Sequence, residues 1–243
     1  MKFSCPAILL ATSLALAMPV LSAHAQHRII RGDGHSTTET RTVSGFNRIH
    51  CSGSYHIIVR EGAATSLRVE ADENLMPYII TEIKGNTLDL SNKKNTELRH
   101  SKPVNIYLTV NHLAEIGVSG ACNLKTQEML QVDRLKISIS GSAEMNMQLT
   151  AHALAVNISG SGKLTLSGAS QSGSYHVSGS ADVFATGLTT DNTEIHISGM
   201  GKMHVDAQKK LAVTVSGMGN VWYKGNPEIS QSVSGMGKIA QGG

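Results

Sequence analysis

The sequence predicts an all-β fold, a right-handed parallel β-helix (β-solenoid) with coils of about 19 residues. Three observations support this prediction. One motif occurs seven times between residues 116 and 243: Val or Ile, Ser, Gly, any residue, a small residue, any residue and an apolar residue. Successive copies lie 18 to 21 residues apart. Residues of the same kind recur at the same position of each copy, which is typical of like-on-like stacking in repeat proteins.

Each copy contains a Ser-Gly pair, which we assign to a turn, and we number positions from this Ser as zero. The seven pairs are Ser119 and Gly120, Ser140 and Gly141, Ser159 and Gly160, Ser178 and Gly179, Ser198 and Gly199, Ser216 and Gly217, and Ser234 and Gly235. Positions −3, −1, +5 and +7 are mostly apolar, whereas −2, +4 and +6 are mostly polar. This alternation predicts two short half-buried strands that meet at a corner, and the Gly suits tight packing or a positive φ there.

Short alternating strands would also fit a β-meander, but the recurrence of identical residues at identical positions favours in-register stacking. The repeat is also too short for two hairpin strands and a crossover helix. The composition agrees with a narrow solenoid, because aromatic residues make up only 4% of the chain and there are 24 glycines. Each coil would add about 4.8 Å along the rod axis.

The first 25 residues have the features of a signal peptide. An apolar segment over 7–21 follows a short basic start, and an Ala-x-Ala site places cleavage between Ala25 and Gln26. The apolar segment is too short for a convincing membrane span. We therefore expect an exported protein without a transmembrane segment, located in the periplasm, on the outer-membrane surface or outside the cell. The formal net charge of +3 does not indicate nucleic-acid binding.

The remaining chain is predicted to have three parts. Residues 26–41 form a flexible polar lead-in, residues 42–115 form irregular first coils that cap one end of the rod, and residues 116–243 form the regular coils. The last two parts make one continuous domain, 42–243. The lead-in contains the tripeptide Arg-Gly-Asp at 31–33, which is either an adhesion motif or a chance occurrence.

Within the cap we predict a divergent eighth copy of the motif, with Ser52 as its position zero. A strand at 67–71, a short non-strand segment or single helical turn near 74–80, and a hairpin around Gly85 follow it. The charged and polar segment 92–103 is predicted to be a loop, and 104–110 a strand that leads into the regular coils.

Column +6 supplies the candidate ligand-binding residues, Phe184, His204 and Trp222, which fall on three successive coils. Exposed flat rings in a line could stack on sugars. The alternative is that they stack on one another and stabilise the sheet.

Other columns have simpler interpretations. Column +4 alternates in charge over Glu144, Lys163, Asp182 and Lys202, as in a solvated ladder of opposite charges. Column −2 contains His176 and His196, and column +2 contains three methionines, Met200, Met218 and Met236. Either set could bind a metal, but we expect stacked side chains, and we predict neither a metal nor another cofactor.

The two cysteines outside the signal peptide are Cys51 and Cys122. Export to an oxidising compartment would favour a disulfide. However, Cys51 takes an inward position and Cys122 a corner position, in coils that we place several steps apart. A bridge needs Cα atoms within about 7 Å. We therefore predict two buried free thiols and no disulfide.

Four segments together resemble a known family. They are the start RTVSGFNRI at 41–49, LRVEADENL at 67–75, GNTL at 85–88, and the tandem turns of sequence SGSG and SGMG. Over residues 42–240 the chain resembles the auto-transporter adhesin head GIN domain family. The resemblance implies a β-helical fold and a location at the bacterial envelope or surface, and it supplies no catalytic residues.

The favoured function is that of an exported, non-enzymatic β-solenoid that is adhesin-like or binds a polymer at the cell envelope. Its partners would be envelope or extracellular polysaccharide, or proteins at the cell surface. One alternative is a polysaccharide-active enzyme, although the sequence offers no catalytic motif. The other is a structural or assembly module that self-associates through the C-terminal coil, where a full motif at Ser234 is followed by few residues.

Overall fold

The computed structural model of the chain describes residues 28–242, which consist almost entirely of strands. The predicted signal peptide and its cleavage site at Ala25 and Gln26 lie outside the described residues. The strands are β1 (Arg28–Arg31), β2 (Ser36–Arg41), β3 (Arg48–Cys51), β4 (Ser54–Glu61), β5 (Ser66–Asp72), β6 (Ile79–Lys84), β7 (Thr87–Asn92), β8 (Thr96–Arg99), β9 (Asn105–Val110), β10 (Glu115–Val118), β11 (Ala121–Thr126), β12 (Leu130–Ile139), β13 (Ser142–Ile158), β14 (Ser161–Val177), β15 (Ser180–Ile197), β16 (Met200–Val215), β17 (Met218–Lys224), β18 (Glu228–Val233) and β19 (Met236–Gln241). A single 3-10 turn spans Glu73–Tyr78. No helix among the described residues has the length and apolarity of a membrane span.

The regular coils stack as parallel strands in register, which confirms the predicted β-solenoid. Position −1 of one coil pairs with position −1 of the next, as Ile139 does with Ile158 and Ile158 with Val177. The apolar positions point inward and are buried, so the core is a continuous column of aliphatic side chains. Stacking supplies this core, because a single coil has nothing to cover its inner face.

The four central regular coils are each one long bent strand, β13 to β16, whereas the coils that follow Ser119 and Ser216 have the two short strands that the sequence suggests. Strand β13, for example, runs unbroken from Ser142 to Ile158, and the ladder is interrupted only at the Ser-Gly turns. The turn glycines are required by close packing. A Cβ at Gly160 would lie 2.0 Å from the carbonyl oxygen of Gly141 in the previous coil. None of the seven turn glycines has a positive φ among the described residues.

The divergent copy at Ser52 forms the coil immediately before the first regular one. Strands β3 and β4 pair with β10 and β11 on one side and with β7 and β9 on the other, all in parallel. The chain between them leaves the stack, and β5 and β6 run antiparallel to their neighbours. The predicted hairpin at Gly85 (φ 63°) and the predicted helical turn are both present.

Two polar segments that the sequence places in flexible or loop structure are strands. Strand β2 in the lead-in pairs antiparallel with β5, and β1 pairs with β8, which lies inside the predicted loop 92–103. The lead-in prediction was therefore wrong. Backbone pairing and the Arg41 guanidinium, which donates to the carbonyl oxygen of Ile79 at 2.6 Å, hold this segment in place.

The Arg-Gly-Asp tripeptide at 31–33 belongs to this packed segment. A Cβ at Gly32 would lie 1.9 Å from a carboxylate oxygen of Asp72. The backbone N–H of Asp33 donates to the side chain of Asn74, and its carboxylate accepts from the N–H of His35. The tripeptide is thus held against the cap.

Candidate functional site

The strands that follow the Ser-Gly turns present columns +2, +4 and +6 on one outer face of the rod, which we call the binding face. A groove of about 440 Å³ crosses five coils of this face. One side carries position +2, a serine on four of the five coils, and the opposite side carries the polar or charged position +4, with position +3 between them; His100, Pro103 and Val104 also line the groove. Among these wall residues, the serines at +2 and the charged side chains at +4 are Ser54, Ser142, Ser161, Ser180, Glu144, Lys163 and Asp182.

Opposite charges in the groove wall lie beside one another. The Lys163 ammonium lies 3.0 Å from a Glu144 carboxylate oxygen, and Lys163 is in register with Asp182 on the next coil. These side chains are exposed, so each pair stabilises the fold by at most about 1 kcal/mol. The wall therefore offers both donors and acceptors to a ligand. Sequence analysis missed the groove, although the serines at +2 and the small residues at +3 were visible there.

The ring ladder, Phe184, His204 and Trp222, lies on the same binding face, beginning in the coil where the groove ends. The ring centroids of Phe184 and His204 are 5.5 Å apart, and those of His204 and Trp222 are 4.6 Å apart, with interplanar angles of 17° and 12°. The rings therefore cover one another's inner faces, as the self-stacking interpretation expects.

Two ring faces remain at the ends of the ladder. Phe184 is in register with Thr165, and Trp222 is in register with Ala240. The methyl group of an alanine covers only a small part of an indole, although Trp222 is half-buried and Phe184 is 39% exposed. A flat sugar could stack there, whereas the inner ring faces are not accessible.

The histidine and methionine columns are stacked side chains on the rod surface. His176 and His196 stack with centroids 4.8 Å apart, and His196 lies 2.9 Å from a Glu194 carboxylate oxygen, a partner that the sequence did not reveal. The methionines at +2 are exposed. Within residues 28–242, no group of three His, Cys, Asp or Glu side chains is arranged to hold a metal ion.

A Ser-His-Asp constellation lies where the cap meets the regular coils. The hydroxyl of Ser119 is 3.1 Å from Nε2 of His50, and Nδ1 of His50 is 3.0 Å from a carboxylate oxygen of Asp89. In the coil of Ser119, position −2 is Gly117, where an added Cβ would lie 3.2 Å from the His50 ring. The glycine thus leaves room for the imidazole. Sequence analysis missed this set because Asp89 lies outside the repeats.

The carboxylate of this constellation stays ionised at neutral pH. Burial raises the pKa of Asp89, but hydrogen bonds from Lys84, at 2.5 Å, and from His50 outweigh burial and leave the pKa below its ordinary value. An ionised Asp89 holds the N–H of His50 on Nδ1, so Nε2 can accept the Ser119 proton.

The backbone around Ser119 does not supply an oxyanion hole. The N–H groups of Ser119 and Gly120 both donate to the carbonyl oxygen of Cys51, and the N–H of Ala121 donates to that of Gly53. These bonds hold the coil to the one before it. The constellation therefore orients a serine hydroxyl but provides no adjacent amide to stabilise an acyl-transfer transition state.

Cys51 and Cys122 are buried free thiols on neighbouring coils. Cys51 pairs with Val118, and Cys122 pairs with Tyr55. The sequence-based reason for excluding a bridge, that several coils separate the cysteines, was wrong. The segment between them leaves the stack to build the cap and then returns to the adjacent coil.

Comparison with known proteins gives a consistent result. A family model described as "Putative auto-transporter adhesin, head GIN domain" matches residues 45–227. The chain is similar to the crystal structure of a "putative adhesin" from Bacteroides fragilis, with 27% identity and a TM-score of 0.80, over 87% of this chain and 99% of that one.

Two crystal structures from Parabacteroides distasonis are similar at 25% identity. One is described as a "putative lipid binding protein" (TM-score 0.70, covering 89% of this chain and 100% of that one). The other is described as a "putative adhesin" (TM-score 0.65, covering 88% and 100%). No curated protein matches the sequence.

Proposed function

Since the chain belongs to the auto-transporter adhesin head GIN domain family, we propose that it is an exported, non-enzymatic binding protein whose binding face takes an extended polysaccharide of the cell envelope. The observation that carries the proposal is the continuity of this face. The hydroxyl-lined groove ends at Ser180 and Asp182, and the ring ladder begins at Phe184 on the same strand.

A polymer matches this geometry better than a compact ligand does. The groove crosses successive coils at the strand spacing of about 4.8 Å, with a serine hydroxyl on four of its five coils and Ala121 on the other, and the outer face of Trp222 lies further along the rod. Sugar units of one chain could accept and donate hydrogen bonds along the groove and stack at the ladder. Neighbouring coils would thus bind one chain with additive contacts.

A lipid ligand, the class named for one of the similar crystal structures, has less support. The interior of the solenoid is filled by inward side chains such as Leu164, Val183 and Met203, all 0% exposed. The groove on the binding face is open and bordered by hydroxyl and charged groups, which do not favour an acyl chain.

The first test is binding of the purified chain to an array of glycans and peptidoglycan fragments. We expect Trp222→Ala to weaken binding roughly fivefold, which is the size of one lost ring contact of about 1 kcal/mol. Ser161→Trp should fill the groove and weaken binding as well, because position 161 is exposed and the substitution leaves the core unchanged.

The matched control is His196→Ala, which removes a stacked ring from column −2, away from the binding face. It should bind like the parent chain. No glycan binding by the parent chain, or equal loss in all three variants, would refute the proposal and give weight to protein partners at the cell surface.

A second candidate is hydrolysis of an acyl ester on such a polymer, which corresponds to the enzymatic alternative. The Ser119, His50 and Asp89 constellation favours it. The adjacent backbone N–H groups already donate to carbonyl oxygens of the previous coil, so they are not free to stabilise an oxyanion. We therefore rank ester hydrolysis below binding.

A further inference from the structure

Cys51 and Cys122 are buried on neighbouring coils, at positions −1 and +3, and Cys122 also lies beneath the groove of the binding face. Cys51 is 0% exposed and Cys122 5% exposed. The neighbouring Cys51 thiol, followed by burial, raises the pKa of Cys122 well above its ordinary value. The Cys51 thiol also faces the carbonyl oxygen of Gly53 at 3.8 Å.

The repeat gives an independent measure of the geometry between these positions. Cys51 takes position −1 of one coil and Cys122 position +3 of the next. The same relation joins Val215 to Gly237, where an added Cβ would lie 3.2 Å from Cγ1 of the valine, whereas an added Cβ at Gly162 or Gly201 would meet other residues first. The γ atom of valine corresponds to the sulfur of cysteine. In a disulfide, the Cβ of one cysteine lies about 3 Å from the sulfur of the other.

The corresponding pair Ile197 and Gly219 gives a second distance. A Cβ at Gly219 would lie 3.3 Å from the Cβ of Ile197. Disulfides have Cβ atoms about 3.5 to 4.5 Å apart. The distance at Ile197 and Gly219 is slightly below this range, so a bridge between Cys51 and Cys122 needs rotation of both side chains and a backbone shift of a few tenths of an ångström.

We propose that Cys51 and Cys122 form an intramolecular disulfide when the chain folds in an oxidising compartment. The oxidant is an external disulfide, either a small molecule or an oxidoreductase. One thiolate attacks it and releases a thiol, and the second cysteine then displaces the other thiol from the mixed disulfide. The two cysteines lose two protons and two electrons, and the external disulfide is reduced to two thiols.

The bridge would join the cap to the regular coils. It closes a covalent loop around residues 52–121, which include all the cap strands from β4 to β9 and the first regular strand, β10. Neighbouring coils are otherwise held by ladder hydrogen bonds and buried side chains. Closing a loop of this length restricts the unfolded chain, so oxidation should raise the melting temperature by roughly 10 °C.

Burial determines when the bridge can form. The thiolate is the reactive species, both thiols are buried in the folded protein, and the pKa of Cys122 is raised. Oxidation should therefore be fast in the unfolded or partly folded chain and slow once the coils have closed. The proposal depends on the exported location for its oxidant but does not depend on glycan binding, so failure of either proposal leaves the other standing.

The test uses the full chain with Cys5→Ser, so that only the two thiols are counted. The chain is unfolded, reduced, and refolded in a mixture of glutathione and glutathione disulfide. We expect no titratable thiol in denaturant, a mass lower by two hydrogen atoms, and faster migration without reductant. Two titratable thiols, or glutathione adducts on both cysteines, would overturn the proposal.

Matched variants keep the outcome interpretable. Cys51→Ser and Cys122→Ser should each keep one thiol and lose the gain in melting temperature on oxidation. The pair Ile197→Cys and Gly219→Cys, introduced where both native cysteines are serine, should oxidise in the same way, because its columns are the same and the atoms nearest an added Cβ at Gly219 all belong to the Ile197 side chain. Failure of the native pair alone, beside oxidation of the introduced pair, would also overturn the proposal.

Discussion

At the scale of single residues, Asp72 fixes the first strands to the cap. Its buried carboxylate accepts hydrogen bonds from the backbone N–H and the hydroxyl of Ser101, at 2.8 and 2.6 Å, and from the N–H of Gly34 at 3.2 Å. Burial raises the pKa of Asp72, but these bonds outweigh it, so the pKa lies below the ordinary 3.8. The side chain is therefore charged and satisfied in the folded state.

This bond pattern predicts how stability depends on pH. A depressed pKa gives stability that is present above the ordinary carboxyl value and is lost as the pH falls through the folded-state value. Asp72→Asn should lower the free energy of unfolding by about 2 kcal/mol at neutral pH and flatten the acid limb below about pH 4. Denaturant melts from pH 2 to 7 would measure both. An unchanged acid limb would show that other carboxylates dominate acid unfolding.

The Ser119 hydroxyl gives a prediction that separates the two candidate functions. Because its neighbouring N–H groups are already bonded, we expect a fluorophosphonate probe to label Ser119 no faster than Ser140, which occupies the same position of the next coil. Labelling rates from peptide mass spectrometry would measure this. Preferential labelling of Ser119 that His50→Ala abolishes would instead support the esterase candidate.

At the scale of elements, the Ser-Gly turn sets the distance between coils. The carbonyl oxygen of Gly141 occupies the place where a side chain at Gly160 would begin, and backbone atoms cannot move aside as a side-chain end can. Gly160→Ala should therefore separate two coils and reduce the free energy of unfolding by more than about 3 kcal/mol.

The control for this turn is Ser161→Ala, one residue further along. Ser161 is exposed on the binding face, so its loss should change stability by less than about 0.5 kcal/mol. Chemical denaturation of both variants gives the comparison. Similar midpoints for the two would mean that the turn tolerates a wider spacing.

The elements also show which parts of the fold are predictable from sequence. Regular coils are predictable because each inward position needs a side chain that can be buried in the core of every coil. Position −3, for example, is a buried column that contains Ile137, Val156 and Tyr175. The cap is less predictable, because its strands pair with segments far away in sequence. Strand β2, for example, has a polar sequence, and only its pairing with β5 shows that it is a strand.

The residues of the candidate site likewise differ in how far the sequence predicts them. The ring ladder was predictable because its members share one column, and its self-stacking depends on side-chain geometry that the column alone does not give. The Ser119, His50 and Asp89 constellation and the contact between the cysteines both cross the boundary between cap and repeats. Both depend on which coil the chain joins after residues 52–121, and the repeat pattern does not specify that coil.

At the scale of the whole molecule, the two ends of the rod differ. The cap covers the first coil with the antiparallel strands β2, β5 and β6. At the other end, within the described residues, β18 pairs only with β16, and β19 only with β17. Ile229 and Val233 of this coil are 39% and 45% exposed, although the corresponding positions of earlier coils are buried. Unpaired strand edges beside exposed aliphatic side chains favour association.

We therefore expect the purified chain to self-associate through this coil, pairing two copies end to end about a two-fold axis, because the capped end offers no complementary edge. Val233→Lys should keep the chain monomeric, since it places a charge in the apolar contact. Sedimentation across a range of concentrations measures the average mass. Met200→Lys, equally exposed but on the side of the rod, should behave like the parent chain. A parent chain that stays monomeric throughout, or an equal effect of both lysines, would contradict end-to-end association.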